Sequence, residues 1–330
     1  MREALLAIDV GGSTSRACLI DRAGNCLGRG RNRGGNPASN NPELAAAAVI
    51  SAVEAAIADA GTGPFDIVVA LIALAGPQAH LALARLENAF RALGLSGPII
   101  FAGDLLAMFA SVTPAMEGYC VVAGTGSGTV RIRNGEIERV VDASGWLLGD
   151  LGSGYWLGHE AAKAVTAELD GRGDATSLTP ALLEDFGIQW PDAREHIGRP
   201  LPLRLFIDAI YALRPIELAR FAPLVIAHRD DSVAARLLTD AGRYLVSDFV
   251  TAFDPRLPGP IVLGGGVMPH LTGVAEGIAA VVRAAGQAPD IRRAADGSIG
   301  AAVLALRAIG LTVDAAMFDA ISASIAAHSS

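Results

Sequence analysis

The sequence predicts an α/β protein built from two related domains that face each other. Three observations carry this reading. Strand-length apolar runs alternate with helix-length segments between residues 43 and 111, which implies a largely parallel sheet covered on its faces. A unit of strand, glycine-rich turn, strand, turn and strand opens the chain at residues 4–33 and recurs at 118–141. The length of 330 residues matches two domains of ordinary size.

Taken in order, Ala4–Val10, Ser15–Ile20 and Asn25–Gly30 are the strands of the first meander, joined by Gly-Gly-Ser-Thr and Asp-Arg-Ala-Gly turns. Glu43–Ala60 is rich in alanine and meets no proline or glycine before Gly61, so it reads as a helix. Phe65–Leu74 is a continuous apolar strand, Ala79–Leu93 a helix stopped by Gly94, Pro98–Ala102 a short strand and Leu105–Ser111 a helical stretch. In the second meander, Gly118–Ala123, Thr129–Arg133 and Glu136–Val141 are strands, and Asn134-Gly135 is a strong hairpin signal. Beyond it the chain reads mostly as helix, clearest at Ser153–Leu169, Pro215–Arg229 and Ser232–Phe253. A strand and turn at Pro260–Met268 precede helices near Val274–Ala285 and Gly300–Ile309.

Composition narrows the function. A net charge of −8 without a basic cluster argues against nucleic acid as a partner. Hydrophobic residues make up 52%, yet the apolar runs Ile67–Ala75 and Ile261–Leu263 are far shorter than the ~20 residues of a membrane span. Only Ala4–Ile8 precedes Asp9, too short for a secretory signal, so a cytoplasmic location is expected. Three cysteines without a C-x-x-C pair, and six histidines without H-x-x-x-H spacing, predict neither a zinc site nor a disulfide frame.

The glycine turns are the chief chemical clue. Gly11 and Gly12, with Ser13 and Thr14, and Gly124-Thr125-Gly126 allow successive backbone N–H groups to converge on an anion. Neither turn has the Gly-Lys-Ser/Thr of a Walker A loop, and neither leads into a helix as a dinucleotide fingerprint does. As matched turns they suggest a phosphate clamp, although each alone is also a plain hairpin. Asp9 could hold the water shell of a phosphate-bound Mg²⁺, or only bond to loop amides. Asp104 is either a helix N-cap or a general base at the carboxyl edge of a strand. Gly145-Trp146 and Gly149-Asp150-Leu151-Gly152-Ser153 form a glycine-dense stretch where a ligand or another backbone could approach closely; Trp146 could pack on a sugar or in a core. Asn36 reads equally as a turn residue. Gly264-Gly265-Gly266 suits either a flat base or a tight strand-to-helix turn.

In this order, Ile8–Thr14, Asp104, Ala123–Ser127, Gly145-Trp146, Gly149–Ser153, Leu263–Gly266 and Gly300-Ala301-Ala302 resemble the N-acetylglucosamine kinase branch of the actin/hexokinase-type ATPases. The wider family also holds glucosamine kinases and the ATPase activators of benzoyl-CoA reductase and 2-hydroxyacyl-CoA dehydratases. The resemblance spans about residues 5 to 310. It implies two ribonuclease-H-like domains with ATP and Mg²⁺ in the cleft between them and the sugar deeper in it. By position, Asp9, Gly11, Gly12, Ser13 and Thr14 match the first phosphate loop, and Thr125 and Gly126 the second. Asp104 matches the base; Asn36, Ser127, Gly145, Trp146 and Asp150 match sugar contacts; Gly265 and Gly266 match the nucleotide-side turn. The chain departs from the usual pattern at Val10, Ser13, Leu105 and Leu151.

The expected function is phosphorylation of the C6 hydroxyl of an amino sugar, N-acetylglucosamine or glucosamine, by a homodimeric enzyme. The expected domains are 1–115, with the first loop and Asp104, and 116–330, with the remaining motifs. The rival is an ATPase activator of a dehydratase or reductase, which needs cysteines beyond the second loop to bridge an iron–sulfur cluster. No cysteine follows Cys120.

Overall fold

A computed structural model describes residues 2–12, 14–35, 42–61, 64–74, 83–191 and 195–328. The chain opens with the expected meander of β1 (Arg2–Val10), β2 (Thr14–Ile20) and β3 (Cys26–Arg33). Helix α1 (Pro42–Asp59) packs directly on β3. Glycine permits this approach: a Cβ on Gly30 would stand 1.9 Å from the Ala52 carbonyl oxygen, and one on Gly28 2.3 Å from that of Ala56. Strand β4 (Phe65–Leu74), helix α2 (Leu83–Ala92), strand β5 (Ile99–Gly103) and helix α3 (Asp104–Ala110) follow. The expected start of α2 at Ala79 lies outside the described residues. The sheet order is β3-β2-β1-β4-β5, antiparallel through the meander and parallel from β1 to β5.

The second half repeats this plan. Strands β6 (Gly118–Ala123), β7 (Ser127–Arg133) and β8 (Glu136–Asp142) form the meander. A helical insert then brings α4 (Gly154–Leu169), α5 (Leu178–Asp185), the two-residue strands β9 (Glu195–His196) and β10 (Arg199–Pro200), and α6 (Leu201–Tyr211). A 3-10 turn (Pro215–Phe221), α7 (Ala222–Ala227) and α8 (Ser232–Ala252) complete it. Strand β11 (Ile261–Gly264), α9 (Val274–Ala284), β12 (Ile291–Arg293), α10 (Gly297–Ala308) and α11 (Ala315–Ala327) close the chain. The sheet order β8-β7-β6-β11-β12 has the polarity of the first.

The single helix expected over Pro215–Arg229 is broken. Pro223 has no N–H to give and its ring would crowd the carbonyl one turn back, so a 3-10 turn ends where α7 starts. Among the described residues no helix is long and apolar enough to cross a membrane.

The two sheets are joined by shared helices. Leu105 and Phe109 of α3 pack with Cys120, Val130, Ile132 and Val262 of the second sheet. Conversely, Ile299–Leu306 of α10 and Ile321 and Ile325 of α11 bury Leu5, Ala7, Cys18, Val69 and Leu71 of the first. Helices α3 and α10 cross where a Cβ on Gly300 would stand 1.8 Å from the Ala107 carbonyl oxygen. Helix α3 thus lies between the two sheets, with Ala107 and Ala110 against the first, while 297–327 packs on the first. An apolar helix face does not specify which of two apolar sheets covers it.

Candidate active site

The carboxyl ends of β1, β5 and β11 open onto one cavity of about 630 Å³. Asp9, Gly11, Arg16 and Asp104 line it from one side, Gly264, Gly265, Gly266, Glu276 and Arg293 from another, and Gly297 caps it. Antiparallel pairing sets Asp9 opposite Arg16, and Arg16 Nη1 donates to Asp9 Oδ2 at 2.9 Å. Arg16 also approaches Asp296 at 4.0 Å, and Arg29 Nη2 donates to Asp296 Oδ2 at 2.6 Å. Asp296 caps α10 by accepting the Ser298 N–H at 3.0 Å. Carboxylates and guanidiniums thus alternate from Asp9 to Arg29.

Burial raises the Asp9 carboxyl above its ordinary value; Arg16 opposes this and Asp296 adds to it. A Cβ on Gly297 would reach 2.3 Å from Asp9 Oδ2, so the helix start closes directly over this carboxylate. Asp104 is the first residue of α3, whose N-cap is Gly103. Its Oδ1 accepts the Leu105 N–H at 2.9 Å. Burial raises the Asp104 carboxyl, the Leu105 N–H lowers it and the charge of Asp9 raises it.

The second glycine turn is held from three sides. Gly124 N–H donates to the Gly126 carbonyl at 2.9 Å, Gly154 N–H to the Gly124 carbonyl at 2.8 Å and Tyr155 N–H to the Thr125 carbonyl at 3.1 Å. Val267 N–H donates to the Ala123 carbonyl at 2.8 Å. Gly265 has φ +94°, and a Cβ there would lie 2.3 Å from the Ala123 oxygen. Gly124, Thr125 and Gly266 line a cavity of about 530 Å³ walled by Ala222, Pro223, Ile226 and His270. Gly266 is common to both cavities.

Asp150 is buried with φ +56°, and its Oδ1 accepts the Ser127 N–H at 3.1 Å. Burial raises its carboxyl, the Ser127 N–H lowers it and the Asp142 charge raises it. Ser127 Oγ donates to the Leu151 carbonyl at 2.9 Å. Asp142 Oδ1 and Oδ2 accept the Asp150 and Leu151 N–H groups, each at 2.9 Å, which fixes the glycine-dense loop. Gly145 has φ +79° and accepts from Gly149 N–H at 2.8 Å.

Asp9, Gly11, Asp104, Gly265 and Gly266 meet at one cavity, and Thr125 adjoins it across Gly266. Gly12 and Thr14 frame the first turn, where Gly11 N–H donates to the Thr14 carbonyl at 2.9 Å. Gly126, Ser127 and Asp150 form a second cluster. Trp146 lines a separate groove with Tyr155, Trp156 and His159, its ring 5.9 Å from that of Tyr155. Ser13 and Asn36 lie outside the described residues. Sequence reasoning did not assign Arg293, Glu276 or Asp296 to the site. Asp296-Gly297-Ser298 carries a helix-start signal that would have put Gly297 at the cavity.

The profile of the BadF/BadG/BcrA/BcrD ATPase family matches residues 6–305. An N-acetylmuramic acid/N-acetylglucosamine kinase of Clostridium acetobutylicum is 38% identical over 101 residues, 30% of this chain and 32% of that enzyme. The chain therefore matches about a third of that relative's length. A solved structure of a candidate N-acetylglucosamine kinase from Chromobacterium violaceum superposes with a TM-score of 0.71 at 25% identity, covering 92% of this chain and 99% of that one. The hexokinase of the ROK family from Thermus thermophilus shares the fold, with a TM-score of 0.53 at 20% identity over 93% of this chain and 99% of that one. The architecture is thus that of the actin/hexokinase-type ATPases, with two ribonuclease-H-like halves.

Proposed function

This chain belongs to the BadF/BadG/BcrA/BcrD ATPase family, and from that premise we propose that it is an ATP-dependent amino-sugar kinase acting on a C6 hydroxyl, foremost of N-acetylglucosamine or glucosamine. The observation that carries this reading is the meeting of Asp9 and Asp104 in one cavity with the Gly264–Gly266 turn of the other half. The kinase similarities reported above support it.

In this reading the two carboxylates have different tasks. Asp104 receives the proton of the sugar hydroxyl as its oxygen bonds to the γ-phosphorus and ADP leaves. Burial and the neighbouring Asp9 charge raise its proton affinity, which suits a proton acceptor. Positioning and charge neutralisation supply most of the rate in such transfers. Asp9 is a hard oxygen donor on the cavity wall, and Mg²⁺ ordinarily takes one or two carboxylates alongside water and phosphate oxygens. The residues present fit that ion: Asp9 would hold it through water, while Arg16 fixes the carboxylate. When bound, Mg²⁺ neutralises charge on the phosphates.

The turn of Gly11, Gly12, Ser13 and Thr14, closed by the Gly11 N–H on the Thr14 carbonyl, and the turn of Thr125 and Gly126 are the two phosphate loops of this reading. Gly265 and Gly266 open room for the nucleoside beside the apolar wall of Ala222, Pro223 and Ile226. Asn36, Ser127, Gly145, Trp146 and Asp150 take the sugar, with Trp146 brought in as the halves close. A homodimer in the cytoplasm completes the proposal. The activator alternative is less well supported, because all three cysteines are buried within the sheets instead of being presented to a partner's cluster.

The test is ADP release from Mg-ATP with N-acetylglucosamine, glucosamine, N-acetylmuramic acid, N-acetylmannosamine, glucose or no sugar. Stimulation by one amino sugar, with phosphate found on its C6, is the expected result. Hydrolysis indifferent to every sugar would overturn the kinase reading and favour the activator.

A further inference from the structure

The cysteines have no task in the chemistry above. Cys18 of β2 and Cys26 of β3 are both buried, and their Sγ atoms stand 3.1 Å apart. The strands create this meeting at an irregularity. Leu19 pairs with Gly28 and Ile20 with Cys26, so Leu27 is left without a partner in the register. Both sulfurs then face the apolar layer under α10 and α11. Cys26 N–H donates to Ser324 Oγ of α11 at 2.8 Å, which fixes the strand where its thiol emerges. Cys120 lies in the other sheet, against α3.

We propose that Cys18 and Cys26 are a reversible dithiol, converted by hydrogen peroxide to an intramolecular disulfide. The sulfurs need to close by about 1 Å to reach the ~2.05 Å of an S–S bond, a movement the bulged pair of strands can absorb.

The two thiols are not equivalent. The hydrogen bond between the sulfurs lowers the Cys26 thiol and raises that of Cys18; burial opposes the shift at Cys26, while His328 and Arg29 favour its thiolate. Cys26 is thus the attacking sulfur. Its thiolate takes one peroxide oxygen to give a sulfenic acid, and the other oxygen leaves as water after protonation. The Cys18 sulfur then attacks the sulfenic sulfur, the S–S bond forms, the S–O bond breaks and a second water leaves with the Cys18 proton. In sum two thiols and one peroxide give one disulfide and two waters, with two electrons passing from the sulfurs to the O–O bond. The new bond cross-links the strands that carry Arg16 and Arg29, both of which hold Asp296.

The test uses the intact folded protein. It is exposed to hydrogen peroxide, its remaining thiols are blocked with N-ethylmaleimide, and it is digested with trypsin for mass spectrometry. Cleavage after Arg16, Arg22 and Arg29 separates peptides 17–22 and 23–29 unless they are linked. The expected product is that linked pair, two hydrogens lighter than the sum, resolved by dithiothreitol. In Cys18→Ser, dimedone should trap a sulfenic acid on Cys26; in Cys26→Ser, Cys18 should stay reduced at the same dose. Recovery of both cysteines as blocked thiols at doses that fully oxidise a cysteine peptide would overturn the proposal. So would a bond that includes Cys120, or trapping on Cys18 in place of Cys26.

Discussion

The two halves share a strand order and a glycine turn between their first two strands, yet the charges beside the two turns are held differently. At the first turn Asp9 faces Arg16 across the pairing; the corresponding positions at the second turn are Val122 and Gly128. Beside the first turn, Arg16 and Arg29 hold the part-buried Asp9 and Asp296. Beside the second, Asp142 and Asp150 accept backbone N–H groups; the guanidiniums of that half, Arg133 and Arg256, hold Asp254 instead, and Asp248 Oδ2 is buried without a hydrogen-bond partner. Repetition of topology has preserved the turn and left the side chains beside it free to differ. The Arg16 guanidinium opposes the rise that burial imposes on Asp9, whereas the N–H groups on Asp142 fix a loop.

The largest effect that tests this division is at Asp104. Asp104→Ala should lower kcat by about 10³-fold, within the range for loss of a general base, while ATP affinity by calorimetry stays near that of the parent. A variant with near-parental turnover would remove Asp104 from its assigned role. In the parent enzyme the elevated Asp104 carboxyl must be ionised to accept a proton, so kcat/KM should fall as pH drops through a midpoint above the ordinary 3.8.

Next in size is the contrast between adjacent glycines. Gly265→Ala puts a Cβ 2.3 Å from the Ala123 oxygen at φ +94°, and should cost about 1–3 kcal/mol of stability in a denaturant titration. Gly266→Ala meets nothing within 4 Å, so its melting temperature should match the parent's. Because Gly266 borders both cavities, the KM for ATP should nevertheless rise. An unchanged KM would take the nucleotide away from this turn.

Arg16→Ala sharpens the first side of the comparison. It leaves Asp9 buried without its 2.9 Å partner and should raise the KM for Mg-ATP about ten-fold, the equivalent of one charge-assisted hydrogen bond. The smallest effect is at Asp248, whose carboxyl is pushed up to about 6 by burial and by Asp142. A carboxyl raised on folding favours the protonated form, so its stabilising contribution is present below pH 3.8 and is lost as pH rises through 6. Asp248→Asn should therefore raise the melting temperature at pH 8 and do little at pH 4.

Much of this was legible in the sequence. Gly24 in the first meander and Asn134-Gly135 in the second marked hairpins, because such turns require residues that tolerate positive φ, which all three adopt. Asp9 and Asp104 were legible as strand-end carboxylates. The three-residue β12 was not, since Ile-Arg-Arg has no measurable alternation and pairs only because Leu263 and Val262 supply a neighbour. Trp146 stood out as a residue type, but its position in a separate groove depends on how Asp142 folds the loop back. The Cys18–Cys26 meeting was hidden too, because it depends on a register shift that spacing does not encode.

The seating of α10 and α11 on the first sheet bears on how the chain is made and how it moves. Residues 1–115 emerge first, yet the layer that shields Leu5, Ala7, Val69 and Leu71 is contributed by residues 297–327. A nascent first half carries a largely unshielded apolar face until residues 297–327 are made. In the finished molecule the backbones at Gly300 and Ala107 touch like the blades of scissors at their rivet. Rotation of one sheet against the other would pivot there.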